Sequence, residues 1–209
     1  MLTAREVMSV SKIIPVISVD SAEEMLHLAE ALMQGGINIF EITLRTSGAL
    51  KAIEAVAKEF PNAVTGAGTV LNEVSFKAVE SAGAKFAISP GLTNDLAIAS
   101  KKIDIPLLPG VATASEIMNG LNYGFDAFKL FPANIVGGID ALKSFGAPFK
   151  DVVFCPTGGI NAKNAKDFLA LNNVLCVGGS WIVPNHLIEQ KKFSEITNLT
   201  KEALKVLSG

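Results

Sequence analysis

The sequence predicts an α/β fold, a (β/α)8 TIM barrel with an extra N-terminal helix. Eight short apolar runs occur along the chain, their starts lie roughly 20 to 26 residues apart, and helix-period segments separate them. Nearly continuous apolar strands that alternate with amphipathic helices indicate a parallel sheet covered by helices. An open, doubly wound sheet is the alternative, but it usually has fewer strands, and the even spacing favours the closed barrel.

The elements follow in order from these patterns. A capping box at Thr3 and Glu6 predicts the extra helix, which we expect to cover the bottom of the barrel. Another, at Ser21 and Glu24, opens the helix after the first strand, and Gly35 closes it. A third starts at Thr113. The predicted strands are 13–18, 39–44, 63–69, 86–91, 106–111, 127–132, 152–158 and 174–180.

Composition narrows the class of protein. The chain has 209 residues, enough for one well-filled core, so we predict a single domain over 1–209. The net charge is −2 without any Lys/Arg block, so no nucleic-acid partner is expected. The N-terminus carries Glu6 and no long apolar run, so we expect neither a signal peptide nor a membrane partner. Cys155 and Cys176 lie in apolar runs, which favours buried, reduced thiols and a cytoplasmic location.

Histidine is scarce. His27 and His186 are the two histidines of the chain, and neither belongs to a zinc-binding pattern. We therefore expect neither a zinc site nor a Ser-His-Asp triad. The chemistry should need no cofactor and should rest on lysine, carboxylates, hydroxyls and backbone amides.

Lys129 is the first candidate for that chemistry, because it is a lone ammonium in the apolar run 127–132. It has no neighbour in sequence to pair with, and burial without a partner favours the neutral amine. A neutral lysine is a nucleophile that adds to a ketone and forms a Schiff base. The alternative is a strand-end lysine whose head reaches solvent.

The second predicted strand supplies further candidates. Side chains alternate along a strand, so Glu41, Thr43 and Arg45 share the face that points into the barrel, with Arg45 nearer the mouth. The same parity turns Lys129 inward, where it can face Glu41. A buried Glu41–Arg45 ion pair that only fills the barrel is the alternative. Such a pair rarely adds net stability, which favours a functional interpretation.

Glycine pairs follow the last two strands. Gly158 and Gly159 precede one helical segment, and Gly179 with Ser180 precedes another. Glycines at strand ends let backbone N–H groups approach an anion, and barrels commonly bind phosphate after strands seven and eight. A phosphate site or two plain turns are both compatible with the pattern.

Four stretches together resemble a known family. They are similar to stretches of the 2-dehydro-3-deoxy-phosphogluconate (KDPG) aldolases, also called 4-hydroxy-2-oxoglutarate aldolases. The four stretches are EITLRT at 41–46, GAGTV at 66–70, FKLFPA at 128–133 and PTGGI at 156–160. The match runs from about Ile13 to Trp181, and the C-terminal segment after Ser180 departs from the family pattern. The resemblance implies a class I pyruvate aldolase, a carbon–carbon lyase of the Entner–Doudoroff pathway, usually a homotrimer.

The resemblance also implies roles for individual residues. Lys129 becomes the Schiff-base residue and Glu41 the acid/base. The remaining matched positions bind substrate: Arg45 and Thr69 at the pyruvate carboxylate, Pro90 and Phe131 along the pocket, Gly158, Gly159, Gly179 and Ser180 at the phosphate, and Thr157 beside them.

The implied reaction cleaves KDPG to pyruvate and glyceraldehyde 3-phosphate, and 4-hydroxy-2-oxoglutarate to pyruvate and glyoxylate. Within the family, the alternative is the phosphogalactonate-specific relative, although the run 43–46 favours the gluconate substrate. A phosphosugar isomerase or epimerase barrel would leave Lys129 unexplained. A non-catalytic barrel that binds phosphometabolites would leave Glu41, Arg45 and Lys129 together unexplained.

Overall fold

The structure is a computed structural model that describes residues 2–208, so Met1 and Gly209 of the predicted domain 1–209 lie outside the described residues. Strands and helices alternate after an opening helix. The strands are β1 Ile13–Ile17, β2 Ile39–Thr43, β3 Val64–Gly68, β4 Phe86–Ile88, β5 Leu107–Leu108, β6 Gly110–Val111, β7 Ala127–Leu130, β8 Val153–Pro156 and β9 Val177–Gly179. The helices are α1 Ala4–Ser9, α2 Ala22–Gln34, α3 Ala49–Glu59, α4 Glu73–Ser81, α5 Asn94–Ala99, α6 Ala114–Asn122, α7 Gly138–Gly146, α8 Ala165–Leu169, α9 Asn185–Glu189 and α10 Phe193–Ser208.

The strands close into a barrel. One parallel sheet has the order β5-β4-β3-β2-β1-β9, and a second has the order β6-β7-β8. Bridges between Phe154 and Val174 and between Thr157 and Gly178 join β8 to β9. On the other side, only Pro109 separates β5 from β6, so the chain itself joins the two sheets there. The sheets are therefore joined on both sides, which confirms the predicted barrel. The open-sheet alternative is wrong.

The fifth predicted strand, 106–111, is interrupted at Pro109. Proline has no N–H to give to a ladder, so β5 ends at Leu108 and β6 begins at Gly110. The Pro109 carbonyl still accepts a hydrogen bond of 2.9 Å from the Lys129 backbone N–H. The strand therefore changes partner at the proline, pairing with β4 before it and β7 after it.

Register fixes which side chains share the lumen. Glu41 of β2 has Val16 of β1 and Gly66 of β3 as its register partners. Lys129 of β7 has Cys155 of β8. Residues of opposite parity, such as Phe40 and Ile42 on β2, are fully buried in the core beneath the helices.

Capping residues appear where the sequence indicated. Thr3 and Glu6 form the capping box of α1, and Thr113 and Glu116 form that of α6. Ser21 caps α2 by accepting a hydrogen bond from the Glu24 backbone N–H, and α2 ends at Gly35. These side chains satisfy backbone N–H groups that a helix start leaves without partners.

The opening helix lies at the amino-terminal end of the barrel. Arg5 of α1 forms an ion pair with Asp126, just before β7, with 2.7 Å between Nε and Oδ2. It also donates to the backbone carbonyl of Asp151, just before β8. Val7 and Met8 of the same helix are buried. The helix therefore covers the bottom of the barrel, as expected. Among residues 2–208, no helix is long and apolar enough to cross a membrane.

Candidate active site

Lys129 and Glu41 meet inside the barrel. The ammonium of Lys129 on β7 donates a hydrogen bond to Glu41 Oε1 on β2, with 3.0 Å between the two atoms. Only 6% of the lysine side chain and 2% of the glutamate side chain are exposed. The predicted meeting across the lumen is confirmed, and the alternative of a solvent-reaching lysine is wrong. The partner is not a neighbour in sequence, as expected, because Glu41 lies 88 residues away.

A buried ion pair of this kind has a chemical use. Two buried charges lose their hydration, and the attraction between them often does no more than offset that loss. The same contact puts a carboxylate within one proton transfer of an amine. The arrangement can therefore release a neutral amine and hold its proton nearby.

Glycine makes room for the carboxylate. A Cβ atom on Gly68 of β3 would lie 2.3 Å from Glu41 Oε1 and 2.8 Å from its Cγ. Any other residue would push Glu41 out of its contact with Lys129. Within the run GAGTV at 66–70, Gly68 is thus a packing requirement of the site.

Phe131 and the cysteines complete the surroundings of Lys129. The Phe131 ring lies 5.3 Å from the Lys129 ammonium, a cation–π distance. Cys155 is the register partner of Lys129 on β8, and Cys176 is likewise a buried free thiol, as expected. Burial raises the pKa of the Cys176 thiol, and a hydrogen bond with Cys155 raises it further.

Arg45 lies at the rim of the barrel. Strand β2 ends at Thr43, and Arg45 follows in an exposed turn. Exposure at the rim agrees with a position near the mouth, and the inward orientation of Arg45 stays a prediction. The alternative of a buried Glu41–Arg45 pair is wrong, since Arg45 is exposed and Glu41 pairs with Lys129. Thr43 itself is buried, and its hydroxyl donates to the Ile17 carbonyl at 2.9 Å.

Thr69 adopts a strained backbone directly after β3. Its φ is 61°, in the left-handed region, which is rare for a β-branched residue. Such strain persists where the surrounding structure over-determines it, and it is frequent at ligand sites. Pro90, two residues after β4, is exposed. Both residues therefore lie at the carboxyl end of the strands, the end that bears the functional loops of barrels.

The turn after β8 is built from two glycines with positive φ. Gly158 has φ 102° and Gly159 has φ 79°. The backbone N–H of Ala133 donates to the Thr157 carbonyl at 2.8 Å, which fixes this end of β8 to the segment after β7. Only glycine adopts two such successive conformations at little cost.

Close packing surrounds the end of β9. Thr157 is buried, and a Cβ on its neighbour Gly178 would lie 2.2 Å from the Thr157 hydroxyl. A Cβ on Gly179 would lie 2.0 Å from the Trp181 ring. Ser180 follows and is exposed. Both glycine turns therefore end neighbouring strands at the same edge of the barrel.

Sequence reasoning missed three asparagines that contact this turn. Asn134, Asn161 and Asn164 all donate side-chain hydrogen bonds to the Gly159 carbonyl. The spacing Asn-x-x-Asn, one residue after Gly-Gly, was a usable signal for the last two. No sequence pattern indicated Asn134, because its contact depends on the meeting of two loops. Within residues 2–208, no group of three or more His, Cys, Asp or Glu side chains is placed to hold a metal ion.

Fold and site together define a class of protein: (β/α)8 barrels with a buried lysine next to a carboxylate in the lumen. The family model described as KDPG and KHG aldolase matches residues 4–199. The chain belongs to this family.

Individual relatives agree with that assignment. The KHG/KDPG aldolase of Escherichia coli (strain K12) is 48% identical over 202 residues, 97% of this chain and 95% of that protein. The 2-dehydro-3-deoxy-phosphogluconate aldolase of Dickeya dadantii (strain 3937) is 46% identical over the same shares of the two chains. A crystal structure of KDPG aldolase from Legionella pneumophila, with pyruvate captured at low pH as a covalent carbinolamine intermediate, has a TM-score of 0.96 at 50% identity. It covers 97% of this chain and 98% of that one.

Family membership decides between the classes that the sequence left open. A phosphosugar isomerase or epimerase and a non-catalytic phosphometabolite-binding barrel are both excluded. The chain is an aldolase, a carbon–carbon lyase of the Schiff-base class.

Proposed function

We propose that Lys129 forms the Schiff base with the ketone carbon of the substrate and that Glu41 moves the protons of the reaction. The observation that carries this proposal is the buried contact of 3.0 Å between the Lys129 ammonium and Glu41 Oε1. Nucleophile and base lie within hydrogen-bond reach, as covalent catalysis requires.

The substrate that fits the family is KDPG, with 4-hydroxy-2-oxoglutarate as a second substrate. The neutral amine of Lys129 adds to C2, and loss of water gives a protonated imine, with Glu41 as proton carrier. The imine accepts the electron pair of the C3–C4 bond while Glu41 takes the proton of the C4 hydroxyl, directly or through a water molecule. Glyceraldehyde 3-phosphate departs. The enamine is then protonated at C3 and hydrolysed, which releases pyruvate and free Lys129.

Different residues would bind the two ends of the substrate. Arg45 and Thr69 would hold the pyruvate carboxylate, Arg45 by the bidentate geometry that its planar guanidinium favours. Its position at the exposed rim supports a role in which the side chain turns onto a ligand at the mouth. Pro90 and Phe131 would line the pocket between the two ends.

The phosphate would bind at the turns after β8 and β9. Gly158, Gly159 and Gly179 would offer backbone N–H groups, and Ser180 would add a hydroxyl, with Thr157 packed beneath them. Support comes from the positive φ of Gly158 and Gly159 and from the bridge that makes β8 and β9 neighbours.

Reductive trapping tests the role of Lys129. Pyruvate and sodium borohydride should add one reduced pyruvyl group per chain, which peptide mass spectrometry should locate on Lys129. Lys129→Met should take up no label. Lys85 is the matched comparison, because its ammonium donates to the Pro61 and Ala63 carbonyls, away from Glu41. A label on Lys85 or Lys143 would overturn the assignment.

Substrate comparison tests the phosphate site. Ser180→Ala should weaken the binding of KDPG by roughly 1–2 kcal/mol, because one hydroxyl contact to the phosphate is lost. Cleavage of 4-hydroxy-2-oxoglutarate should hardly change, since that substrate carries no phosphate. Equal losses on both substrates would require the phosphate site to be withdrawn. The same assay with the C4 epimer of KDPG would identify a galactonate preference.

We also propose that the chain forms a homotrimer and works in the cytoplasm. The trimer is supported by family membership and by exposed apolar side chains on the outer helices. The cytoplasm is supported by two buried cysteines that remain free thiols.

A further inference from the structure

The carbonyl of Gly159 accepts hydrogen bonds from three asparagine side chains. The distances to the donor nitrogens are 2.8 Å for Asn134, 3.0 Å for Asn164 and 3.4 Å for Asn161. A carbonyl oxygen has two lone pairs, so the two shorter bonds use its normal capacity. Asn164 also accepts from the Asn161 backbone N–H at 2.8 Å, so the two asparagines on the α8 side form one local unit.

Asn134 comes from a different part of the chain, the segment between β7 and α7. It holds the turn twice, because its backbone N–H also donates to the Gly158 carbonyl at 3.1 Å. The fit is close: a Cβ on Gly159 would lie 2.3 Å from the Asn134 amide nitrogen. Two successive carbonyls of the turn are therefore fixed by one residue.

Fixing the carbonyls also fixes the N–H groups. In a trans peptide the N–H points opposite to the preceding C=O, so the N–H groups of Gly159 and Ile160 point away from Asn134. Asn134 follows β7, on one side of β8, and the bridge from Thr157 to Gly178 places β9 and Ser180 on the other side. The N–H groups therefore face the side on which Ser180 lies.

We infer that Asn134 is a positioning residue, which holds the Gly158–Gly159 turn so that its N–H groups bind the substrate phosphate. This inference rests on the proposed function of that turn. Asn134 is exposed, and its hydrogen bonds to Gly158 and Gly159 hold the turn and not the buried Lys129–Glu41 contact, so its removal should spare both folding and the chemical step.

The test compares a phosphorylated with an unphosphorylated substrate. Asn134→Ala should raise KM for KDPG about two- to ten-fold, the effect of one lost neutral hydrogen bond. Both kcat for KDPG and kcat/KM for 4-hydroxy-2-oxoglutarate should stay at the wild-type level. Asn134→Gln keeps the amide donor and should lie between wild type and Asn134→Ala. Asn122→Ala is the matched control, because Asn122 is an exposed asparagine at the end of α6.

Ser180→Ala, measured in parallel, separates the two levels of the inference. If Ser180→Ala discriminates between the substrates and Asn134→Ala does not, the phosphate site stands and the role of Asn134 is refuted. If Asn134→Ala slows both substrates equally, Asn134 supports the barrel in general and the inference is again refuted. If neither variant discriminates between the two substrates, both the phosphate site and the role of Asn134 are refuted.

Discussion

Glu41 meets Lys129 because β2 and β7 each direct alternate side chains into the lumen. A carboxylate in this position has two tasks in the proposed reaction. It accepts the proton that the lysine must lose, and it then carries protons to and from the substrate oxygens. Both tasks need a titratable oxygen, whereas the packing against Gly68 needs only the shape of the side chain.

Glu41→Gln separates shape from proton transfer. The amide keeps the volume of the carboxyl group but cannot act as a base, so kcat should fall by about 10²–10⁴. KM should change little, because the residue does not hold the substrate in the ground state. Steady-state kinetics on KDPG measures both quantities, with Glu54→Gln on the exposed face of α3 as the control. A kcat near the wild-type level would remove Glu41 from the proton-transfer role.

Cys176 should make the free energy of unfolding depend on pH in the alkaline range. Its pKa is raised above 9.0 by burial first and by the Cys155 contact second, so the native state holds the thiol proton more tightly than the unfolded state. The stability linked to this proton is therefore present below the unfolded pKa and is lost as pH rises through the native pKa.

Urea unfolding between pH 7 and pH 10.5 measures this effect. Above about pH 9 the wild-type free energy of unfolding should fall faster than that of Cys176→Ala, by at most about 1.4 kcal/mol per pH unit. The other ionisable side chains are the same in both proteins, so the difference between the two slopes isolates the thiol. Parallel slopes would show that Cys176 does not contribute.

At the scale of elements, the interruption at Pro109 shapes the mouth of the barrel. It ends β5 and lets β6 begin at Gly110, whose register partner is Lys129. A Cβ on Gly110 would lie 2.2 Å from the Pro90 carbonyl oxygen, an atom of the backbone. The segment just after β4 and the start of β6 are therefore too close for a Cβ atom to fit between them.

Gly110→Ala tests this close approach. The added methyl group meets backbone that cannot turn aside, so the variant should lose about 1–3 kcal/mol of unfolding free energy, a typical cost of overpacking. Gly91→Ala is the matched control, since nothing lies within 4 Å of its Cβ position, and it should change stability by less than about 0.5 kcal/mol. Urea denaturation of both variants gives the comparison. Equal stabilities would show that β4 and β6 separate freely.

Local periodicity accounts for what the sequence could predict. Strand alternation placed Glu41 and Lys129 in the lumen, and capping residues marked the starts of α1, α2 and α6. Alternation leaves the direction of Arg45 undecided, because that residue lies beyond the end of β2, and a strand end depends on ladder partners that the sequence does not reveal. The positive φ of Thr69 had no local sequence signal. The contact of Asn134 with Gly159 was out of reach as well, since it depends on the meeting of two separate loops.

At the scale of the whole molecule, large apolar side chains remain exposed at several places on the surface, and five of them lie on one part of the outer ring. Exposed apolar residues occur on or just before three consecutive helices, α4, α5 and α6: Leu71, Val74, Ile98, Met118 and Leu121. Apolar side chains exposed on consecutive helices can mark an interface, and closed symmetric oligomers are the usual way to bury them. We call these five residues the α4–α6 face.

The α4–α6 face should form the subunit contact of the predicted homotrimer. Light scattering at micromolar concentration should then give three times the 21.9 kDa mass of the chain. Val74→Glu should lower that mass, because Val74 is 79% exposed here and a carboxylate there would lose its hydration in an interface. Val206→Glu is the matched control: Val206 is also an exposed valine, 53% exposed, but it lies on α10. A monomeric wild type would refute the trimer. A mass lowered by Val206→Glu and not by Val74→Glu would keep the oligomer but move its interface to α10.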